Sequence, residues 1–262
     1  MSRGAGGQTP AARKAVAFAA FLTVLGALWV FGATRLPSYI LPPPQNILAS
    51  ALAFFTTAQK LRHVAATFGG VLASIALSFV AGSALALIAH YASWTEPLIH
   101  HRIGPFLNSF SGIGWTLLAI IWFGVSPVTV VFSISIVLLP FAMINLREGL
   151  RALDAELGEM SRSFTRSGPR SFLLIVLPAL FPFAVATLRI MFGVAWKVAL
   201  TAELFGGSVG LGYLINLARQ EYDTATIFTV IAFIIVAVYL ADHFVFAPLE
   251  RLTERRFGGA RR

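Results

Sequence analysis

The feature that most limits what this chain can fold into is a succession of apolar runs long enough to cross a lipid bilayer. A helix needs about 20 predominantly apolar residues to span the hydrocarbon core. Six stretches meet that length: residues 15–33, 65–91, 103–123, 127–145, 172–202 and 226–246. In lipid the backbone must satisfy its own hydrogen bonds, so such runs read as helices. The third is less uniform, being interrupted by Asn108, Ser109, Ser111 and three glycines. Only Gly124-Val125-Ser126-Pro127 separates it from the fourth, which predicts a tight hairpin. Composition agrees: 12% of residues are charged, against about a quarter in soluble domains, and mean hydropathy is +0.80. The expected fold is an all-α integral membrane protein with six transmembrane helices. The first run, preceded by Arg3, Arg13 and Lys14, has a cleaved signal peptide as its alternative reading, although it exceeds the usual apolar core of about 7–15 residues.

The net charge of +9 does not point to nucleic acid, because the basic residues sit at the ends of the apolar runs. With both termini inside, Arg3, Arg13, Lys14, Arg102, Arg147, Arg151, Arg162, Arg166, Arg170, Arg251, Arg255, Arg256, Arg261 and Arg262 are cytoplasmic, and only Arg35, Lys60, Arg62 and Arg219 are external. This bias predicts N-in and C-in topology. The organisation is then a cytoplasmic tail over 1–14, one transmembrane domain over 15–247 with a cytoplasmic loop at 146–171, and a basic tail over 248–262. Leu41-Pro42-Pro43-Pro44 breaks any helix after the first run, and a short amphipathic segment follows. There is no cysteine, which excludes a disulfide framework, thiolate metal ligation and a cysteine nucleophile.

In the 146–171 loop, Leu146, Leu150, Leu153, Leu157, Met160 and Phe164 recur at alternating steps of four and three, forming one apolar stripe. The spacing predicts that the fourth span ends near Arg151. A separate amphipathic helix would then run from an Asp154 N-cap to about Thr165 and break at Gly168-Pro169. Such a helix either lies on lipid headgroups or enters a groove of a partner protein.

Arg189 and Lys197 lie within the fifth apolar run, where a basic residue is expensive and usually faces a polar cavity or a counter-charge. They are candidates for a positively charged translocation path. The alternatives are snorkelling by Lys197 or a salt bridge to Glu203 or Asp242. Glu203, near the end of that run, is a candidate gate or fold-stabilising residue, with an exposed interfacial acid as the alternative. Gly69, Gly70, Gly82, Gly112, Gly114 and Gly193 suit close helix approach, and Trp115, Trp122 and Trp196 suit helix packing or the interface. His100-His101 beside Glu96 does not complete a metal site. Asp242 and His243 are adjacent and so point to different faces of a helix. The glycine-rich stretch Gly206-Gly207-Ser208-Val209-Gly210-Leu211-Gly212 lacks a lysine and follows a helix, so it is not a phosphate loop. The chain itself is therefore not expected to be an enzyme that hydrolyses nucleotide.

The stretch Glu159-Met160-Ser161, followed 19 residues after the glutamate by Leu177-Pro178, resembles the cytoplasmic "EAA" loop of ABC-importer permeases. It departs from the pattern at Met160 and Ser161, where the family has alanines, and at Thr165, where it has glycine. Four other segments are similar to the same family: Leu41-Pro42-Pro43-Pro44-Gln45-Asn46-Ile47-Leu48, Trp115 to Gly124, Leu188-Arg189-Ile190 with Ala195-Trp196, and Ala202-Glu203 through Leu214. Together they cover roughly 38–247 and look most like the branch that handles nitrate, sulfonates and taurine. The resemblance implies a permease subunit for a small, anionic solute in a bacterial cytoplasmic (inner) membrane. Its coupling helix, with Leu157, Glu159, Met160, Phe164, Thr165 and Gly168, would contact a separate ATPase. It also implies two ATPase copies carrying ATP and Mg, a second permease copy as a homodimer, and a periplasmic or lipoprotein substrate-binding protein. No cofactor, metal or nucleic acid is expected on this chain. The alternative, a secondary transporter driven by an ion gradient, would show inverted repeats and matching broken helices, and neither is visible.

Overall fold

In the computed structural model, which describes residues 10–164 and 172–257, the apolar runs are helices, and no strand occurs among the described residues. The helices are α1 (Pro10–Arg35), α2 (Pro44–Thr56), α3 (Ala58–Tyr91), α4 (Ser93–Ser109), α5 (Gly112–Phe123), α6 (Pro127–Phe164), α7 (Leu177–Gly206), α8 (Leu211–Gln220), α9 (Thr224–Ala241) and α10 (Ala247–Phe257). Wider π-type turns at Phe172–Val176 and Asp242–Phe246 lead into α7 and α10. Five helical stretches are long and apolar enough to cross a membrane: Val16–Arg35, Ala58–Tyr91, Pro127–Ala152, Phe172–Gly206 and Thr224–Thr253. The third predicted span is instead a broken pair. α4 and α5 meet at 87° and make a sixth crossing when taken together. The break falls at Phe110 and Ser111, where Ser111 caps α5 by accepting a hydrogen bond from the Ile113 amide. An N-capping serine starts a new helix more readily than it continues an old one.

The centre of the bundle is the seam between α3 and α6. The Ser74 hydroxyl is 3.2 Å from the Val131 carbonyl, and the Ser78 hydroxyl is 3.0 Å from that of Ser135, each also facing its own-helix carbonyl four residues back. One turn further along, a Cβ on Gly82 would come within 2.9 Å of the Leu139 carbonyl oxygen and 2.6 Å of the Ala142 Cβ. Both hydrogen-bonded pairs are 57 residues apart, so the two helices run parallel and in step. Small residues at every fourth position are what lets two membrane helices approach this closely. Of the other glycines expected to serve close approach, Gly69, Gly70 and Gly193 meet nothing within 4 Å, and Gly114 is covered by the Phe110 ring.

α7 packs across this seam. Ile134, Leu138 and Ala142 of α6, Val71 and Ile75 of α3, and Met191, Ala195, Trp196 and Ala199 of α7 form one buried cluster. The Trp196 ring takes the edge-to-face arrangement with Phe68 at 4.8 Å between centroids. Trp115 is also buried, whereas Trp122 is exposed. α2 lies on α9, joined by Thr229 Oγ1 to the Ile47 carbonyl and by Ser50 to Thr226. The window Val16–Arg35 of α1 buries none of its residues. Toward its end Trp29 Nε1 donates to the Pro42 carbonyl, and its ring lies tilted 5.9 Å from that of Phe228.

The helices differ from the sequence expectation in one respect that matters for function. α6 does not end near Arg151, and Asp154 caps no second helix, because α6 runs unbroken from Pro127 to Phe164. Residues 152–157, ALDAEL, are mostly good helix formers. The Gly158 penalty of about 1 kcal/mol is too small to end a helix already propagating. Thr165 and Gly168 lie outside the described residues.

Gly82→Leu is expected to force α3 and α6 apart, at a cost of about 1–3 kcal/mol for overpacking. It should lower both the monodisperse yield on size exclusion and the apparent unfolding temperature. Gly69→Ala, at an open position, should leave both at the wild-type value or slightly above it.

Candidate functional site

Glu203 sits one turn before the end of α7 and is 2% exposed. This corrects the reading of it as an exposed interfacial acid. A buried carboxyl must be hydrogen-bonded to be tolerated, and here the donors come from the glycine-rich stretch and from α3. Glu203 Oε2 accepts from the Gly212 amide at 2.8 Å and from the Thr67 hydroxyl at 3.0 Å. Thr67 in turn accepts from the Leu211 amide at 2.8 Å, and His63 Nδ1 accepts from the Gly210 amide at 3.1 Å. The first turn of α8 thus has its free amides met by side chains of α3 and α7, as helix N-termini require.

The glycines are what make room for this clasp. Gly210 has φ +129°, and a Cβ there would lie 2.3 Å from the Glu203 carboxyl carbon. A Cβ on Gly212 would lie 2.4 Å from the Leu200 carbonyl oxygen. On the other side, the Gly206 carbonyl accepts from the Ser126 amide at 3.0 Å, so the α5–α6 hairpin docks on the end of α7. Gly124 turns that hairpin with φ +67°, and its carbonyl accepts from Thr129 Oγ1. One end of the bundle is therefore a single polar knot joining α3, α6, α7 and α8.

The two basic residues of α7 have different surroundings. Arg189 is held by Asp242, with its Nε 2.7 Å from Oδ1 and its Nη2 2.9 Å from Oδ2, and its Nη1 also pairs with Glu250. The bidentate fork ties α7 to the π-type turn after α9 and to α10. Of the counter-charges considered from sequence, Asp242 is the partner and Glu203 is not. His243, beside Asp242, stacks on Tyr239 instead. Lys197 is exposed and makes no salt bridge among the described residues.

At the other end, α6 leaves the bundle. Leu146 and Leu150 are buried with Ala86 and Leu180, and Glu96 of α4 clamps the helix through Arg147 at 2.5 Å and Arg151 at 3.0 Å. Of the coupling candidates, Leu157, Glu159, Met160 and Phe164 are on the last turns of α6, and their side chains are outside the described residues.

The sequence reading missed the roles of Thr67 and His63, the Glu96 clamp and the Ser74-Ser78-Gly82 ladder. The ladder alone left a signal, a small residue at every fourth position. Glu203→Leu should leave the Gly212 amide without an acceptor, at about 1–3 kcal/mol, and the Thr67 hydroxyl with only the His63 carbonyl at 3.3 Å. At about 2–4 °C per kcal/mol for a chain of this size, the apparent unfolding temperature should fall by on the order of 5 °C or more. Glu203→Gln, which keeps an acceptor oxygen, should lose less. Equal melting of wild type and Glu203→Leu would show that the clasp contributes nothing.

Comparison with known proteins accounts for this architecture. Residues 97–257 match the family described as "Binding-protein-dependent transport system inner membrane component". The protein is 30% identical over 237 residues to the putative aliphatic sulfonates transport permease protein SsuC of Bacillus subtilis, covering 89% of this chain and 80% of that one. It is 24% identical over 254 residues to the taurine transport system permease protein TauC of Escherichia coli, covering 93% and 91%. It is 28% identical over 199 residues to the bicarbonate transport system permease protein CmpB of Synechococcus elongatus, covering 76% and 68%. With the family model matching more than half of its length, the chain belongs to the inner-membrane permease components of binding-protein-dependent transport systems.

Proposed function

We propose that this permease carries a small oxyanion-bearing solute inward, as one of two copies in an importer driven by a separate ATPase and supplied by a substrate-binding protein. The family match over 97–257 carries this reading. Relatives named for sulfonates, taurine and bicarbonate support the solute class, since each of those solutes bears an oxyanion group. Among the three path candidates, Lys197 is the one we place on the path, because it is exposed on α7 with its charge unneutralised among the described residues. Arg189 and Glu203 hold in place the helices that form the path.

The length of α6 supports the coupling role of its far end. At about 1.5 Å per residue its 38 residues extend roughly 57 Å, nearly twice the hydrocarbon core of about 30 Å. Its last turns, with Leu157, Glu159, Met160 and Phe164, therefore project beyond the bilayer toward the ATPase. Thr165 and Gly168, which follow in sequence, stay with them as candidates for the same contact. The parallel course of α3 and α6 supports one crossing between them, and hence six spans in all. The charge bias of the loops supports a cytoplasmic position for both termini and for the projecting end of α6. ATP and Mg belong to the ATPase subunits. The setting is the bacterial inner membrane, and the second permease copy is a homodimer partner.

Proteoliposomes holding the permease with its cognate ATPase and binding protein should accumulate a labelled sulfonate or taurine only when ATP is available to the ATPase. Uptake that follows a proton gradient and ignores ATP would instead favour a secondary transporter. Glu159→Ala should insert normally and fail to retain or stimulate the ATPase in co-purification and hydrolysis assays. Lys197→Met should assemble with the ATPase at wild-type level and lose about tenfold in uptake, the scale of one charge-assisted hydrogen bond.

A further inference from the structure

The clasp at the start of α8 contains one hydrogen bond that admits a single protonation state. The Gly210 backbone N–H can only donate, so the His63 Nδ1 that lies 3.1 Å from it must be the bare nitrogen of a neutral ring. The bond is buried, His63 is 8% exposed, and its ring stacks 5.8 Å from that of Tyr213 on α8. An imidazolium carries a hydrogen on both nitrogens. Protonating His63 therefore sets N–H against N–H and takes the acceptor away from Gly210. The neighbouring acceptors are already engaged, because Thr67 Oγ1 serves the Leu211 amide and Glu203 Oε2 serves the Gly212 amide and the Thr67 hydroxyl.

Few charges surround the ring. On α3, Arg62 is beside it, and Lys60, one turn back, is turned to the Phe54 ring. On α7, Glu203 reaches it only through Thr67, and no ion pair joins Glu203 to His63 among the described residues. On α8, Tyr213 is the stacked neighbour. α2, which packs against α3, carries no titratable side chain. In this arrangement an imidazolium gains no carboxylate partner to offset the bond it loses.

We propose that His63 is a proton-operated latch on the glycine-rich stretch: the neutral ring holds Gly210 and the start of α8 against α3, and the protonated ring releases them. The proton needs no cavity, since it is taken up when the bond opens and then keeps the bond from re-forming. The stability that the bond contributes is complete above the ordinary imidazole value of about 6.5 and is lost as the pH falls. Glu203 still holds Gly212 after release, so the stretch loosens at Gly210 without loss of the fold. On the topology proposed above, this end of the bundle faces outward, and the latch then reads the external pH. The latch itself rests on the hydrogen-bond geometry and not on that topology.

The test uses the full chain in nanodiscs, without ATPase or solute, so its outcome is separate from that of the transport reading. His63→Asn puts an amide oxygen near the place of Nδ1 and accepts from Gly210 at every pH, whereas His63→Ala removes the acceptor. All other titratable groups are common to the three proteins, so the differences among them report His63. Between pH 8 and pH 5 the unfolding temperature of wild type should fall by about 5 °C more than that of His63→Asn, the shift for one buried donor losing its acceptor in a chain of this size. His63→Ala should melt below wild type at pH 8 and level with it at pH 5. A spin label at Ser208→Cys, in a chain without other cysteine, reports on the glycine-rich stretch directly. Its mobility should rise on acidification in the wild-type background and stay constant with His63→Asn. If His63→Asn does not fold, His63→Ala is the non-titrating reference for both readouts. A wild-type fall no larger than that of the non-titrating variant, or a label that does not respond to pH in the wild-type background, would show that His63 is no latch.

Discussion

The rest of the bundle depends on two long helices, α3 and α6, running parallel in close contact. Their register is fixed by Ser74 against Val131, Ser78 against Ser135, and Gly82 against Leu139 and Ala142. Two parallel neighbours cannot be joined by a short turn, since the chain must first travel back the length of the seam. The α4–α5 pair makes that return, and its 87° bend lets it lie outside the seam while α5 ends in a tight hairpin with α6. In lipid there is no hydrophobic drive to bring helices together, so packing and interhelical hydrogen bonds set such a contact. Larger side chains at 74, 78 and 82 would remove the contact that this return path serves.

The seam also explains where the polar groups collect. A bilayer offers no water to unpaired backbone groups, so a non-helical segment must be satisfied by protein. The glycine-rich stretch between α7 and α8 is such a segment. Glu203 reaches it from α7, and Thr67 and His63 reach it from α3. Ser126, at the start of α6, meets it from the other side. Because α3 and α6 are parallel, their beginnings lie together, and one loop can be held by both.

Much of this was legible in the sequence. The apolar runs at 65–91, 127–145, 172–202 and 226–246 were found because bilayer thickness imposes a length that residues either meet or do not. The hairpin at Gly124-Val125-Ser126-Pro127 was found because so short a connection allows little else. What was not legible depended on partners distant in sequence. Glu203 looks interfacial until Thr67 and Gly212 are placed beside it, and Arg189 can pair with either of two acids until the course of α9 selects Asp242. The unbroken α6 was misread for a different reason. An aspartate before an apolar periodic run is a strong N-cap signal, but it acts only where the preceding residues leave the helix, and in α6 they do not.

An unbroken α6 has a mechanical consequence that a separate coupling helix would lack. Ser126, just before it, and Thr129, in its first turn, belong to the knot at the end of α7, its middle forms the seam, and Arg147 and Arg151 sit at the Glu96 clamp. On the proposed reading, a force applied to the last turns by the ATPase would meet an unbroken helix before it reaches the clamp. Pro140 is the one proline inside α6, and it lies beyond the clamp, beside Leu138 and Ala142 in the packed core. A proline removes one backbone hydrogen bond and permits a bend, so on the proposed reading Pro140 is where tilt from the far end would be taken up, within the seam that α7 covers. Arg189, Lys197 and Glu203 are all on α7. On the proposed reading, a rocking of α6 about Pro140 is passed to the one helix that carries the exposed Lys197, while the Glu203 clasp holds the last turns of α7 and the Arg189 fork holds its middle.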